Sequence, residues 1–321
     1  MIDEKKIKLW STLGMRATFG LAALDLAKEI NNLLVLTSDV STSAGLDRFR
    51  KTFPDKYLDL GIAEQNLIGV ASSLSSEGFK VITTTFAPFQ TMRCCEQIKV
   101  NLGYMKNNVC MVGLASGLVL GTLGFTHSCI EDIGVLRSIP GLTIISPADS
   151  LETVKALKEC LKHKNSTYIR LTGGSNNKPV YKNDYKFEIG KSVKLIDGKD
   201  VTIFCSGAIT ANCLDVATKL KDEKVSCAVV NMHTIKPIDR AAIEEAAIKS
   251  KLIISVEEHN IIGGLGSAIS EHLSSLKKSP KLLRLGVNDY YEKGGSYDYL
   301  KEKYGLSVKK IIKNILNNLN S

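Results

Sequence analysis

The sequence lacks a long apolar run. Its longest stretch without Asp, Glu, Lys or Arg, from Asn107 to Ile130, is broken by Gly113, Gly117, Gly121, Gly124 and His127, which suits strand plus loop rather than a membrane span. The opening residues, Met1-Ile-Asp-Glu-Lys-Lys, do not form the apolar stretch of a signal peptide, so a cytoplasmic protein is expected. No C-x-x-C pair or regular spacing occurs among Cys94, Cys95, Cys110, Cys129, Cys160, Cys205, Cys213 and Cys227. That argues against a zinc site and against a disulfide framework, leaving reduced, mostly buried thiols. A basic stripe interleaved with aromatics is also missing. The formal charge is +9, but the lysines are scattered over stretches such as 155–164 and 301–313, so nucleic acid is not expected as a partner. A solvated lysine surface is the plain reading, with an acidic partner subunit or phosphorylated ligands also compatible. Internal repeats of fixed period and low-complexity tracts are absent too.

What is present is alternation. At 321 residues and 44% hydrophobic, the chain can bury two cores. Short apolar runs alternate with amphipathic segments, the mark of an α/β fold with mainly parallel, doubly wound sheets. Expected strands are 33–37, 80–85, 109–113, 142–146, 167–171, 201–205, 225–230 and 252–256. Expected helices include 16–31, with Phe19, Ala23, Leu26, Ala27 and Ile30 on one face, then 63–77, 150–160 and 308–319. Asp149 or Ser150 suits the N-cap of the third. Composition shifts between Leu171 and Asp200, which predicts a domain at 1–175, a linker at 176–198 and a smaller α/β domain at 199–321.

The run Leu58-Asp-Leu-Gly-Ile-Ala-Glu-Gln-Asn-Leu-Ile-Gly reads as a strand leading into a helix, with Glu64 at the junction. Ends of parallel strands are where open α/β sheets bind ligands, so Glu64 suits a pocket. It equally suits the positive end of its helix. Gly61-Ile-Ala-Glu-Gln-Asn, followed by Thr84-Thr-Phe-Ala-Pro-Phe, resembles the pyrimidine-binding domain of the transketolase family. The resemblance implies that Glu64 hydrogen-bonds the aminopyrimidine of thiamine diphosphate and activates it. It also implies that Phe86 and Phe89, with Met92, pack around that flat ring, and that Asp39 and Val40 touch the cofactor. Arg16 and Ser43 fall where the family grips a substrate phosphate, chemistry that a guanidinium and a hydroxyl suit. Gly124-Phe-Thr-His-Ser resembles the family's histidine turn, making His127 a substrate-facing proton handler; by spacing alone a structural role is the plainer one.

Thr234-Ile-Lys-Pro-Ile-Asp and Val256-Glu-Glu-His-Asn-Ile-Ile-Gly-Gly-Leu-Gly resemble the transketolase C-terminal domain, which implies dimer assembly and structural roles for His233 and His259. Gly263, Gly264 and Gly266 do not form a dinucleotide fingerprint, because Ile269 stands at the third small position. The Gly-Asp-Gly motif that holds the diphosphate and its Mg2+ in the family is absent. The resemblance therefore implies an N-terminal partner subunit supplying it, an α2β2 heterotetramer, and no metal ligands in this chain. Three family positions differ, at Ala115, at Gly121-Thr-Leu-Gly and at Thr172-Gly-Gly. Each loses a polar partner worth on the order of 1 kcal/mol. Either the substrate is a non-standard sugar, modified, unphosphorylated or nucleotide-linked, or Arg170 or a partner residue supplies the missing anion contact. The expected reaction is transfer of a two-carbon ketol unit from a ketose to an aldose. The alternatives are a 1-deoxyxylulose-5-phosphate synthase-like subunit, a 2-oxo acid dehydrogenase β-like subunit, and a non-catalytic scaffold. Phe86-Ala-Pro-Phe departs from the dehydrogenase pattern.

Overall fold

The computed structural model describes residues 4–319. Its strands are β1 (Leu33–Thr37), β2 (Tyr57–Asp59), β3 (Lys80–Phe86), β4 (Val109–Leu114), β5 (Thr143–Ile145), β6 (Thr167–Arg170), β7 (Val193–Ile196), β8 (Val201–Cys205), β9 (Cys227–Asn231), β10 (Thr234–Lys236), β11 (Leu252–Asn260) and β12 (Lys281–Val287). They form two sheets, in the orders β10-β5-β6-β4-β3-β1-β2 and β12-β11-β8-β9-β7. Pairing is parallel throughout, except that β10 runs antiparallel to β5 and β7 antiparallel to β9.

Burial on both faces explains the parallel core. In β1 every side chain is buried. Leu33 and Val35 join Phe19, Ala23, Leu26 and Ala27 of helix Met15–Glu29. Leu34 and Leu36 join Leu67, Ile68 and Ala71 of helix Glu64–Ser76 on the opposite face. Strands buried on both faces read as continuous apolar runs, and such a sheet needs helices above and below it. The expected helix at 150–160 forms as Ser150–Cys160, with the Asp149 side chain accepting from the N–H of Glu152.

Three strands lie where the sequence did not place them, and one of them, β12, pairs parallel with β11 at the edge of the second sheet. β7 falls inside the segment expected to be a connector, and pairs with β9 at the edge of the second sheet. β10 belongs by sequence to the second domain, yet it covers the β5 edge of the first sheet, pairing Thr234 with Ile145. An uncovered strand edge is a pairing hazard, and β10 removes it. The core is continuous across this joint: Phe204, Val230, Met232 and Ile253 share one apolar cluster with Met111, Ile144 and Tyr168. Among the described residues no helix is long and apolar enough to cross a membrane.

Candidate active site

The C-terminal ends of β1, β2 and β3 meet in one place. The turn after β1 carries Asp39, whose positive φ of 55° is uncommon for a residue with a side chain. Its N–H donates to Asp59 Oδ1 at 2.9 Å, and the N–H of Gly61 donates to the same oxygen at 3.0 Å. One carboxylate thus ties the turn after β1 to the turn that leads into Glu64. Burial pushes the Asp59 carboxyl up, but those two N–H groups, with the Thr37 and Tyr57 hydroxyls, outweigh it and hold the group below its ordinary value. Asp59 had no distinguishing mark in the sequence beyond its place five residues before Glu64 at the strand-to-helix junction.

Glu64 opens helix Glu64–Ser76, which has no side-chain N-cap, so its carboxylate stands at the positive end of the helix dipole. It is also only 4% exposed. The helix-end reading of Glu64 describes this geometry, and the burial adds that the carboxylate is held away from bulk water. Its Oε2 lies 2.9 Å from Arg93 Nη1. Arg93 in turn places its guanidinium carbon 4.1 Å from the ring centroid of Phe89, and its carbonyl accepts from Gln65 Nε2 at 3.1 Å. Phe86, at the end of β3, meets Phe89 edge-on at 6.2 Å. His127 packs edge-on against both, 5.9 Å from Phe86 and 5.4 Å from Phe89. The structure thus assembles Glu64, Phe86, Phe89 and His127 from three segments spread between residues 64 and 127. Met92 is on the exposed side of the same segment and Val40 is buried. Cys94 lies behind, its thiol pushed up to about 12 by burial and by the Glu64 charge, against the pull of Arg93. Arg93 was not singled out from sequence; its four-residue spacing from Phe89 was the available signal.

The second domain braces the histidine loop. Gly117 and Cys129 bridge its base. Glu258, fully buried, accepts from the Leu118 N–H at 3.4 Å and from the Tyr297 hydroxyl at 2.5 Å. The Gly295 N–H reaches Gly121 O, and the Tyr291 hydroxyl reaches Glu131 Oε1. At the tip, Thr126 Oγ1 and His127 Nδ1 are 3.0 Å apart. His259 sits deeper, accepting the Gly134 N–H at Nε2 and placing Nδ1 2.7 Å from the Asn260 carbonyl. Burial pushes the imidazoles of His259 and His233 down to about 4.

Arg16 and the turn carrying Ser43 are neighbours elsewhere, where the Gly45 backbone lies against Arg16 and Ala17. The turn holding Ser43 packs so tightly on helix Met15–Glu29 that a Cβ on Gly20 would lie 2.1 Å from the Gly45 carbonyl, which only glycine permits. Arg16 is partly buried, and burial lowers its guanidinium from its ordinary value. Among the described residues no hydrogen bond or ring contact joins this pair to the Glu64 cluster. Arg170 corrects an expectation. It does not face a ligand: its Nε is 2.9 Å from Asp132 Oδ2, and its Nη2 donates to the carbonyls of Cys129 and Glu258 at 3.3 and 2.6 Å, all fully buried. In β6 the side chains of Tyr168 and Arg170 share one face, and both turn to Asp132.

A buried carboxylate acceptor beside a half-buried aromatic pair fits a flat ring that offers an N–H, as an aminopyrimidine does. Ser38 Oγ and Thr85 Oγ1, next to Asp39 and Phe86, are buried with no hydrogen-bond partner, so polar capacity remains at this edge.

Comparison with known proteins identifies both parts of the chain. Residues 11–177 match the family "Transketolase, pyrimidine binding domain", and residues 190–311 match "Transketolase, C-terminal domain". A protein of Methanocaldococcus jannaschii named as a transketolase C-terminal section is 37% identical, over 94% of this chain and 95% of its own length. A 6-deoxy-6-sulfo-D-fructose transketolase subunit of Clostridium sp. strain MSTE9 is 36% identical over 93% of this chain and 92% of its own. A solved structure described as a split gene transketolase, inactive beta4 tetramer, is 35% identical, covers 96% of this chain and 98% of that one, and superposes with a TM-score of 0.86. With both domains matched and relatives aligned nearly end to end, this chain belongs to the transketolase family and carries its pyrimidine-binding and C-terminal domains.

Proposed function

We propose that this chain is the C-terminal subunit of a cytoplasmic, thiamine diphosphate-dependent transketolase, active with an N-terminal subunit that holds the diphosphate and its Mg2+, in an α2β2 assembly. The observation that carries the reading is the union of buried Glu64 with Phe86, Phe89 and His127 at one strand edge. When bound, the cofactor supplies the carbon centre that accepts and passes on a two-carbon ketol unit. Glu64 would accept a hydrogen bond from the aminopyrimidine, Phe86 and Phe89 would keep water off its faces, and Asp39 with Val40 and Met92 would line its rim. His127, tethered by Thr126, would hold or move a proton at a sugar hydroxyl. Arg16 and Ser43 would grip the anionic end of the sugar. The domain division proposed is 1–175, a connector at 176–198 that lends β7 to the second sheet, and 199–321.

The sugar is proposed to be non-standard. Ala115, Thr122, Leu123 and Gly173 stand where polar groups meet ordinary sugar phosphates in the family, Arg170 is committed to Asp132, and the Clostridium relative is named for a sulfonated fructose. Glu64→Ala, mixed with the N-terminal subunit, cofactor and Mg2+, should lose at least about a hundredfold in turnover, the scale of a lost proton-transfer group. Full turnover by that variant sinks the proposal. Offering pyruvate against hydroxypyruvate as donor separates ketol transfer from deoxyxylulose phosphate synthesis.

A further inference from the structure

Arg93 already occupies both contacts that the proposed function gives to an aminopyrimidine. Its Nη1 is 2.9 Å from Glu64 Oε2, and its guanidinium lies 4.1 Å over Phe89. A guanidinium is planar and delocalised and presents its donors in a fork, so it can serve a carboxylate and an aromatic face at once. In this respect it imitates an amino-substituted heterocycle. The two ends of the pair differ in access: Glu64 is 4% exposed, whereas the Arg93 side chain is 43% exposed. The arginine backbone is fixed, by the Gln65 contact and by buried Cys94 next to it. Its side chain can therefore leave by rotation alone.

We propose that Arg93 is a displaceable cap on the cofactor seat, a placeholder that partners Glu64 and covers Phe89 until an aminopyrimidine takes over both roles. The proposal rests on the assignment of Glu64 and Phe89 to the pyrimidine site. A carboxylate this buried needs a partner at every stage, and the cap supplies one before the cofactor does. The cap also filters ligands. Only a molecule offering a donor to Glu64 together with a flat face to Phe89 replaces everything that leaves with Arg93; a simple amine or a plain aromatic replaces half. Because Arg93 is partly solvated, its contacts are screened, and its removal should tighten cofactor binding by about tenfold rather than by a thousandfold.

The test is thiamine diphosphate binding to the full chain assembled with its N-terminal subunit and Mg2+, read by stopped-flow association and by calorimetry without any substrate. Arg93→Ala and Arg93→Met, the second keeping an apolar stem for packing, should both raise the association rate and lower Kd by about tenfold. Glu64→Gln should bind much more weakly. Unchanged or weaker binding by both arginine variants, with Glu64→Gln still impaired, overturns the cap and leaves the site assignment standing. Binding by Glu64→Gln at wild-type strength overturns the site assignment, and the cap with it.

Discussion

Removing the Asp132 carboxylate should destabilise the protein by about 3–5 kcal/mol, the cost of breaking a buried ion pair from one side. Asp132 and Arg170 are 0% and 1% exposed. Arg170 Nε bonds both oxygens of Asp132, at 3.0 and 2.9 Å, and the Tyr168 hydroxyl donates to Oδ2 at 2.7 Å. In Asp132→Ala the guanidinium would keep only the neutral carbonyls of Cys129 and Glu258, with no countercharge in contact. The Tyr168 hydroxyl would lose its carboxylate acceptor, leaving the Ser116 hydroxyl 3.3 Å away. The two losses overlap, so the range above covers both. Urea unfolding followed by circular dichroism measures it directly, and the midpoint of thermal unfolding should fall by about 10 °C. A matched double variant, Asp132→Leu with Arg170→Met, removes both charges and should recover most of the loss, as apolar replacements of buried pairs do. Two results would refute the reasoning: a loss below about 1 kcal/mol in Asp132→Ala, or a double variant as unstable as the single one. Because Arg170 also reaches the Glu258 carbonyl, Asp132→Ala should loosen the base of the His127 loop and raise KM for sugar in the assembled enzyme.

Three further outcomes follow from the buried groups. His233 and His259, held to about 4 in the fold against 6.5 in the open chain, favour unfolding as pH falls from about 6.5 towards 4. Asp149 and Glu257, pushed up to about 6 and about 7 by burial, act oppositely; their contribution is complete at low pH and is lost as pH rises through those values. His259→Gln should cost less stability at pH 4.5 than at pH 7; an equal cost at both would overturn the neutral imidazole. Thiol labelling of the native chain should be fast at partly exposed Cys95 alone, since burial pushes Cys94 and Cys227 up to about 12; rapid labelling of either would refute their burial. Glu258→Gln keeps the size but offers one acceptor oxygen instead of two, so it should cost about 1–3 kcal/mol and raise KM more than it lowers kcat, measured by urea unfolding and steady-state kinetics.

Local pattern carried much of the fold. β1, β8 and helix Ser150–Cys160 stand where apolar runs and turn residues put them, because each is decided by its own burial and its own cap. β7 was hidden because its residues, Val-Lys-Leu-Ile, sit in a charged stretch and are only half buried at a sheet edge. β10 was hidden for another reason: three residues pair with a strand 89 positions earlier, and nothing local encodes that partner. At the site, Glu64, Phe86, Phe89 and His127 were legible through motifs. Arg93 was not, since its value depends on Glu64, 29 residues away, being brought to it by the β2 and β3 crossovers. Arg170 misled because a strand-end arginine looks ligand-facing until the pleat shows which face its side chain takes.

The strand that β10 lends to the first sheet limits how this molecule can be taken apart or recombined. A fragment ending before Thr234 would keep all six of its own strands but present β5 with a bare row of N–H and C=O groups, a template for whatever extended segment comes by. A chimera that swaps in the second half of a cousin exchanges more than one self-contained domain. It replaces the outermost plank of the sheet on which the first half is built, so grafts must be cut after Lys236, or must carry an edge strand matched to Ile144 and Ile145.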